Sequence, residues 1–188
     1  MRRALKAEGV TVSSLVGWSD EFRIGLYGST HKVLAPRGVK VRQRVELTRD
    51  WYHLAVVVAP RTGRMAWAWI EGTKGSQIAP AVHEWRWSGF DALVWDGMSG
   101  HMAAEVRATG MLVVTQHPLS PELNPAERIG EAIRAKVEGK TYGTIWRKMA
   151  AVEEFLHELS ADPARVRKMT GWGWILGALR RLPRTHSC

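Results

Sequence analysis

Residues 51–59, WYHLAVVVA, and 65–70, MAWAWI, are the stretches that most limit what this chain can become. The first is dense in β-branched residues and the second alternates Ala with Trp, so both read as strands. Between them, PRTG (60–63) has the composition of a hairpin turn. Trp67 and Trp69, two residues apart, share one face of their strand by the period-2 rule.

The rest of the chain must build a sheet around that hairpin. Upstream, 11–18 reads as a short strand running into Asp20, and a Gly- and basic-rich connection follows from Gly25 to about Val41. Downstream, 77–87 is predicted helical, 92–95 is a compact buried strand ending at Asp96, and 103–108 is a short helix. Residues 111–115 form another buried strand, and a proline-studded strap leads to a helical pattern from Asn124, broken near 139–143 and at 162–163. The order β, β, β, α, β, α, β, α, with helices appended, predicts an α/β fold with a mixed sheet covered by helices. That order is the connectivity of the ribonuclease H-like fold, with five strands and extra C-terminal helices.

Charge narrows the partners. The chain of 188 residues carries a formal net charge of +9. Lys32, Arg37, Lys40, Arg42, Arg44 and Arg49 crowd one segment against Glu46 alone. Arg165, Arg167, Lys168, Arg180, Arg181 and Arg184 follow Pro163 with no acid among them. Such clusters attract a polyanion, most often nucleic acid, although a solvated basic surface is the plainer alternative. The single cysteine, Cys188, has no partner in the chain, which fits a reducing compartment. The longest apolar run, 54–59, is far short of the roughly 20 residues a membrane helix needs. A cytoplasmic, nucleoid-associated protein is expected.

Asp20 and Asp96 each follow an apolar strand pattern, and ligands in α/β sheets gather outside the carboxyl ends of strands. Glu127 comes three residues after Asn124, which sits where an N-cap belongs, with Pro125 at the first helical position. Converging, the three acids would suit Mg²⁺ or Mn²⁺, which take hard oxygen ligands. Each acid also has an ordinary explanation: a turn at Asp20, an Asp-Gly turn at Asp96, and a capping box closed by Glu127. Spacing alone leaves both open.

The residue strings say more. WSDEFRIGL (18–26) with LAPRG (34–38), LVWDGMSGH (93–101) and PLSPELNPAER (118–128) resemble the three acidic motifs of DDE-type insertion-sequence transposases of the mariner superfamily, in order. The resemblance runs from about residue 15 to 175, and its third motif is the most specific. It implies a ribonuclease H-like catalytic domain over 1–160 that cuts and joins DNA with two Mg²⁺ or Mn²⁺ ions, and a basic helical extension over 161–188. By position it makes Asp20, Asp96 and Glu127 the catalytic acids and metal ligands, and passes over Glu122 inside SPEL. Departures from the pattern are Gly100 before His101, Leu34 for a frequent Trp, and HPL (117–119) before Ser-Pro. Only about 19 residues precede Asp20, too few for the helix-turn-helix half of such transposases. The expectation is a catalytic half from a split or truncated element, working as a homodimer or with a separate recognition half on double-stranded DNA.

Arg37, Lys40, Arg42, Arg165, Arg167 and Lys168 are the expected DNA contacts. His101 is expected either at a phosphate, orienting a ligand, or simply buried. No zinc spacing occurs among the histidines, and most of the ten tryptophans are assigned to the core. Two other readings stand beside the transposase: a non-catalytic DNA- or partner-binding remnant, and a general ribonuclease H-like nuclease.

Overall fold

The hairpin forms as its pattern requires, and a five-stranded sheet grows from it. The structure is a computed structural model and describes residues 1–28, 34–42, 44–116 and 123–184. Its elements run α1 (Arg2–Ala7), β1 (Val16–Gly25), β2 (Trp51–Ala59), β3 (Arg64–Ile70), α2 (Gly75–Trp87), β4 (Ala92–Trp95), α3 (Ala104–Ala108), β5 (Leu112–Thr115), α4 (Ala126–Val137), α5 (Ile145–Ser160), α6 (Pro163–Thr170) and α7 (Gly173–Arg180). The sheet order is β3-β2-β1-β4-β5. β1, β2 and β3 pair antiparallel, while β4 and β5 join β1 in parallel. This is the mixed sheet of a ribonuclease H-like fold, with helices on both faces and extra helices at the C-terminal end.

One strand departs from its expected limits. The sequence places Asp20 after a strand that ends at Trp18, whereas β1 runs to Gly25 and carries Asp20 within it. Antiparallel pairing holds the extension: every residue from Trp18 to Gly25 has a partner on β2, from Val58 down to Trp51. Phe22 and Ile24 are buried on one side of this extension, so the polar letters of SDEFRIG conceal a half-buried strand.

The sheet separates two apolar layers. Trp18, Phe22, Ile24, Leu54, Val56 and Val94 pack on one face against α4, α5, α6 and α7. Ala55, Val57, Leu93 and Trp95 face α2 and α3 on the other. Each fully buried Leu, Ile or Val adds about 1.5–3 kcal/mol. Val166, Ile175 and Leu179 share the first core, so the C-terminal helices close one face of the sheet. Trp67 and Trp69 do share a face, and both indole N–H groups donate to the Glu153 carboxylate of α5, at 2.9 and 2.5 Å. Trp18, Trp85 and Trp95 are fully buried and Trp67, Trp69 and Trp172 pack against the core, whereas Trp51, Trp87, Trp146 and Trp174 are exposed.

Between β1 and β2 the described residues form neither helix nor strand, and Arg37, Lys40, Arg42 and Arg44 are exposed there. Among the described residues, no helix is long and apolar enough to cross a membrane. Lys32, Glu122, Cys188 and the strap over 117–122 lie outside the described residues.

Candidate active site

The parallel pairing of β1 with β4 ends at Trp18 opposite Val94. Carrying that register two residues further brings Asp20 abreast of Asp96, at the carboxyl end of β4. Trp18, Phe22 and Ile24 face α4, and strand alternation puts Asp20 on that same side.

Asn124 fixes where α4 begins. Its Nδ2 donates to the Ser19 carbonyl at 3.0 Å, and its Oδ1 accepts from the Ala126 N–H at 3.1 Å. Its own carbonyl accepts from the Glu127 N–H at 3.1 Å. The residue is therefore a cap and also a stitch between the helix start and the strand residue preceding Asp20. Pro125 already has helical dihedrals, φ −66° and ψ −17°. One turn later Gly130 lies against the Phe22 ring, where a Cβ would come within 2.2 Å of Cε1. The absence of a side chain there lets α4 approach β1 closely.

The expected capping box does not form. Glu127 instead carries its carboxyl group into hydrogen-bond contact with Asp20, with Arg134 3.8 Å behind it. Burial, then the charges of Glu127 and Glu21, push the Asp20 carboxyl up from its ordinary 3.8 to about 8. Two carboxyl groups in contact share a proton when no cation lies between them.

A pH dependence follows. The folded chain holds a proton on Asp20 that the unfolded chain gives up near pH 4, so this group makes stability fall as pH rises from about 4 towards 8. Metal-free melting temperatures should therefore decline across pH 5–8, and Mn²⁺ should reverse the decline at pH 8. A profile identical to that of Asp20→Asn would refute the assignment.

Asp96 has a different neighbour. Its Oδ1 accepts from the Met98 N–H at 3.1 Å and lies 2.6 Å from Nδ1 of His101. The His101 Nε2 is 3.1 Å from Glu21 Oε2, and its ring stacks on Trp95 with centroids 3.8 Å apart. His101 is 0% exposed, and both of its ring nitrogens face carboxylates. Burial opposes its charged form, but the hydrogen bond and charge of Glu21, with Asp96 behind them, hold its pKa above the ordinary value. Gly100, a departure noted in the sequence, has a steric cause: a Cβ there would meet the Thr73 carbonyl oxygen at 2.0 Å.

Among the described residues, no three His, Cys, Asp or Glu side chains stand together in a form that could hold a metal ion. Asp20 and Glu127 are in contact, while Asp96 is engaged with His101. The donor set still suits a hard divalent cation. It consists of carboxylate oxygens, and the Asp20–Glu127 pair carries a charge conflict that a cation relieves.

Basic residues, Arg44 and Arg49 of the 31–49 cluster together with others outside any charge run, lie beside this site. A cavity of about 680 Å³ is lined by Arg23, Arg44, Arg49, Arg134 and Lys140, among others. The Arg23 guanidinium lies 4.1 Å over the exposed Trp51 ring. Arg134 reaches both this cavity and Glu127. The segment with Arg37, Lys40 and Arg42 leaves the sheet after Gly25, beyond Asp20 on β1. Arg167 sits at the opposite end, where its Nη1 donates to the Thr62 carbonyl in the β2–β3 turn at 3.2 Å. Arg165 is paired with Glu158 at 3.1 Å. Lys168 is exposed on the same helix. The expected DNA contacts thus divide between two ends of the sheet.

No protein-family model and no curated protein matches the chain, but solved structures do. The Mos1 strand transfer complex superposes with a TM-score of 0.65 at 13% identity, over 89% of this chain and 54% of that one. The mariner Mos1 paired-end complex with Mg gives 0.64 at 13% identity, over 96% and 56%. The catalytic domain of Mos1 mariner transposase gives 0.53 at 14% identity, over 83% and 75%. The chain spans about half the length of the first of these. What the likeness establishes is the fold: a ribonuclease H-like domain built as in the catalytic domain of Mos1 mariner transposase.

Proposed function

We propose that the chain is a DDE-type transposase catalytic domain that cleaves DNA strands and joins the resulting 3′ ends to target DNA. The observation that carries this reading is the Asp20–Glu127 contact, abreast of Asp96 at a strand end. Asp20, Asp96 and Glu127 are the residues that would hold Mg²⁺ or Mn²⁺, with Asp96 contributing the oxygen that His101 does not engage. Two such ions, when bound, would supply electrostatic stabilisation of the attacking and leaving oxygens in an in-line displacement. The chain's own residues do the positioning. Asn124 and Gly130 set the approach of α4, and His101 orients Asp96. Arg23, Arg49, Arg134 and Lys140 draw strand phosphates past the acids.

In the first step water attacks a phosphodiester at the element end, the P–O3′ bond breaks, and a 3′-hydroxyl is freed. In the second that hydroxyl attacks a target phosphodiester, and a target 3′-hydroxyl leaves. Partners are double-stranded DNA, as element end and target, and a second copy or a helix-turn-helix half that gathers the ends.

Two assays test the reading. Mn²⁺-dependent nicking of supercoiled plasmid should occur with the intact chain and vanish with Asp96→Asn. Persistence of nicking in that variant would reject Asp96 as a catalytic ligand. Binding to random duplex should weaken by about 10³-fold or more between 50 and 200 mM salt, as expected for six or more phosphate contacts. A flat salt response would mean that the basic cleft does not carry DNA, and a non-catalytic role would then fit better.

A further inference from the structure

We infer that Glu21, although it adjoins Asp20, is a positioning residue that acts through His101 to fix the Asp96 carboxylate at the cation site. The inference rests on the assignment of Asp20, Asp96 and Glu127 given above. Strand alternation supplies the first argument. Asp20 faces α4, so the next residue along β1 points to the opposite face, towards Trp95 and the loop after β4.

The bonding of Glu21 supplies the second. Its Oε1 accepts from the Trp95 indole N–H at 3.0 Å and its Oε2 faces His101 Nε2 at 3.1 Å. Its side chain is only 6% exposed. To coordinate an ion beside Asp20 it would have to abandon both partners and leave an indole N–H and a buried imidazole unsatisfied.

The third argument is where the chain of bonds ends. His101 touches the Asp96 carbonyl at 3.2 Å, but its shortest contact is to the Asp96 carboxylate at 2.6 Å. Asp96 is 52% exposed at the end of a four-residue strand, where nothing else described holds its side chain except the Met98 N–H. His101 is itself held in place by the Trp95 stack and by the close seating of Gly100 on Thr73. The sequence Trp95–Glu21–His101–Asp96 therefore transmits rigidity from the core to one exposed ligand. Hydrogen-bond partners of this outer kind are worth about 10–100-fold in metal affinity.

The test uses the whole chain and has a metal-free and a metal-bound part. Without metal, the His101 Nδ1 proton should be visible by nitrogen-edited NMR as a protected, slowly exchanging signal. It should be lost in Glu21→Ala and kept in Glu21→Gln, which retains an oxygen for Trp95 and a donor for His101. A signal that survives Glu21→Ala overturns the inference, because Glu21 would then not be holding His101. With Mn²⁺ alone as probe, Glu21→Ala and His101→Ala should each weaken binding about 10–100-fold, and the double variant no further. Glu21→Gln should recover most of the affinity. A further loss in the double variant would make Glu21 a ligand in its own right. A lowered melting temperature with unchanged Mn²⁺ affinity would make it a structural residue only, and either result overturns the inference. If the unaltered chain binds no Mn²⁺, the cation site itself is refuted, and the NMR measurement still decides whether Glu21 fixes Asp96.

Discussion

Asp20→Asn should abolish strand cleavage and, in the absence of metal, make the protein more stable at pH 8. The loss of cleavage follows from removing an acid from the centre of the proposed site, and about 10²–10³-fold or more is expected. The gain in stability follows from the same geometry. Folding buries Asp20 and sets it against Glu127, which together lift its pKa to about 8, so near that pH the fold must either keep a proton on it or tolerate two adjacent charges. An amide has neither problem. For a chain of this length each kcal/mol recovered raises the melting temperature by about 2–4 °C. Thermal melts at pH 5 and pH 8, run beside a nicking assay, separate the two effects. Lower stability of Asp20→Asn at pH 8 would mean that the carboxyl makes a net favourable contact, contrary to the charge conflict described here.

The second large effect should come from a residue with no functional group. Gly130→Ala is expected to destabilise the chain by about 1–3 kcal/mol, the usual cost of overpacking a core. Helix propensity argues the other way, favouring Ala over Gly by about 1 kcal/mol. Packing should win because the added Cβ would sit 2.2 Å from the Phe22 ring, and that ring is buried between the sheet and α4. Gly177 in α7 is the natural control: a Cβ there meets nothing within 4 Å, so Gly177→Ala should be neutral or stabilising. Gly130→Ala should also weaken Mn²⁺ binding, since lifting α4 carries Glu127 away from Asp20. Urea unfolding of both variants measures the first effect. Equal stabilisation by the two would show that α4 is free to shift.

The fold was legible because its strands follow simple rules. The β2–β3 hairpin, the short strands before Asp96 and Gln116, and the helix after Asn124 all stand within a few residues of their expected limits, although only the first of those short strands is buried along its length and β5 buries Val114 alone. β1 was misread because it is a strand with polar residues along one side, so periodicity stopped being informative after Trp18. Within the proposed site, Asp20, Asp96 and Glu127 are named from motifs, but the side of the sheet each faces is not. Glu21 went unremarked because its role depends on a histidine 80 positions away. The stitch from Asn124 to Ser19 is likewise invisible to a local capping rule, which counts only bonds within a helix turn. The basic cleft beside Glu127 draws on residues from β1, the segment before β2 and α4, and no charge run in the sequence collects them.

The most direct test of the central claim is a calorimetric Mn²⁺ titration of the chain, run beside Asp96→Asn and Glu127→Gln. It requires no knowledge of the DNA substrate. Saturable binding that both substitutions weaken, with protons released on binding as Asp20 ionises, is the expected result. Absence of binding, or binding indifferent to both substitutions, would contradict a cation site built from these acids.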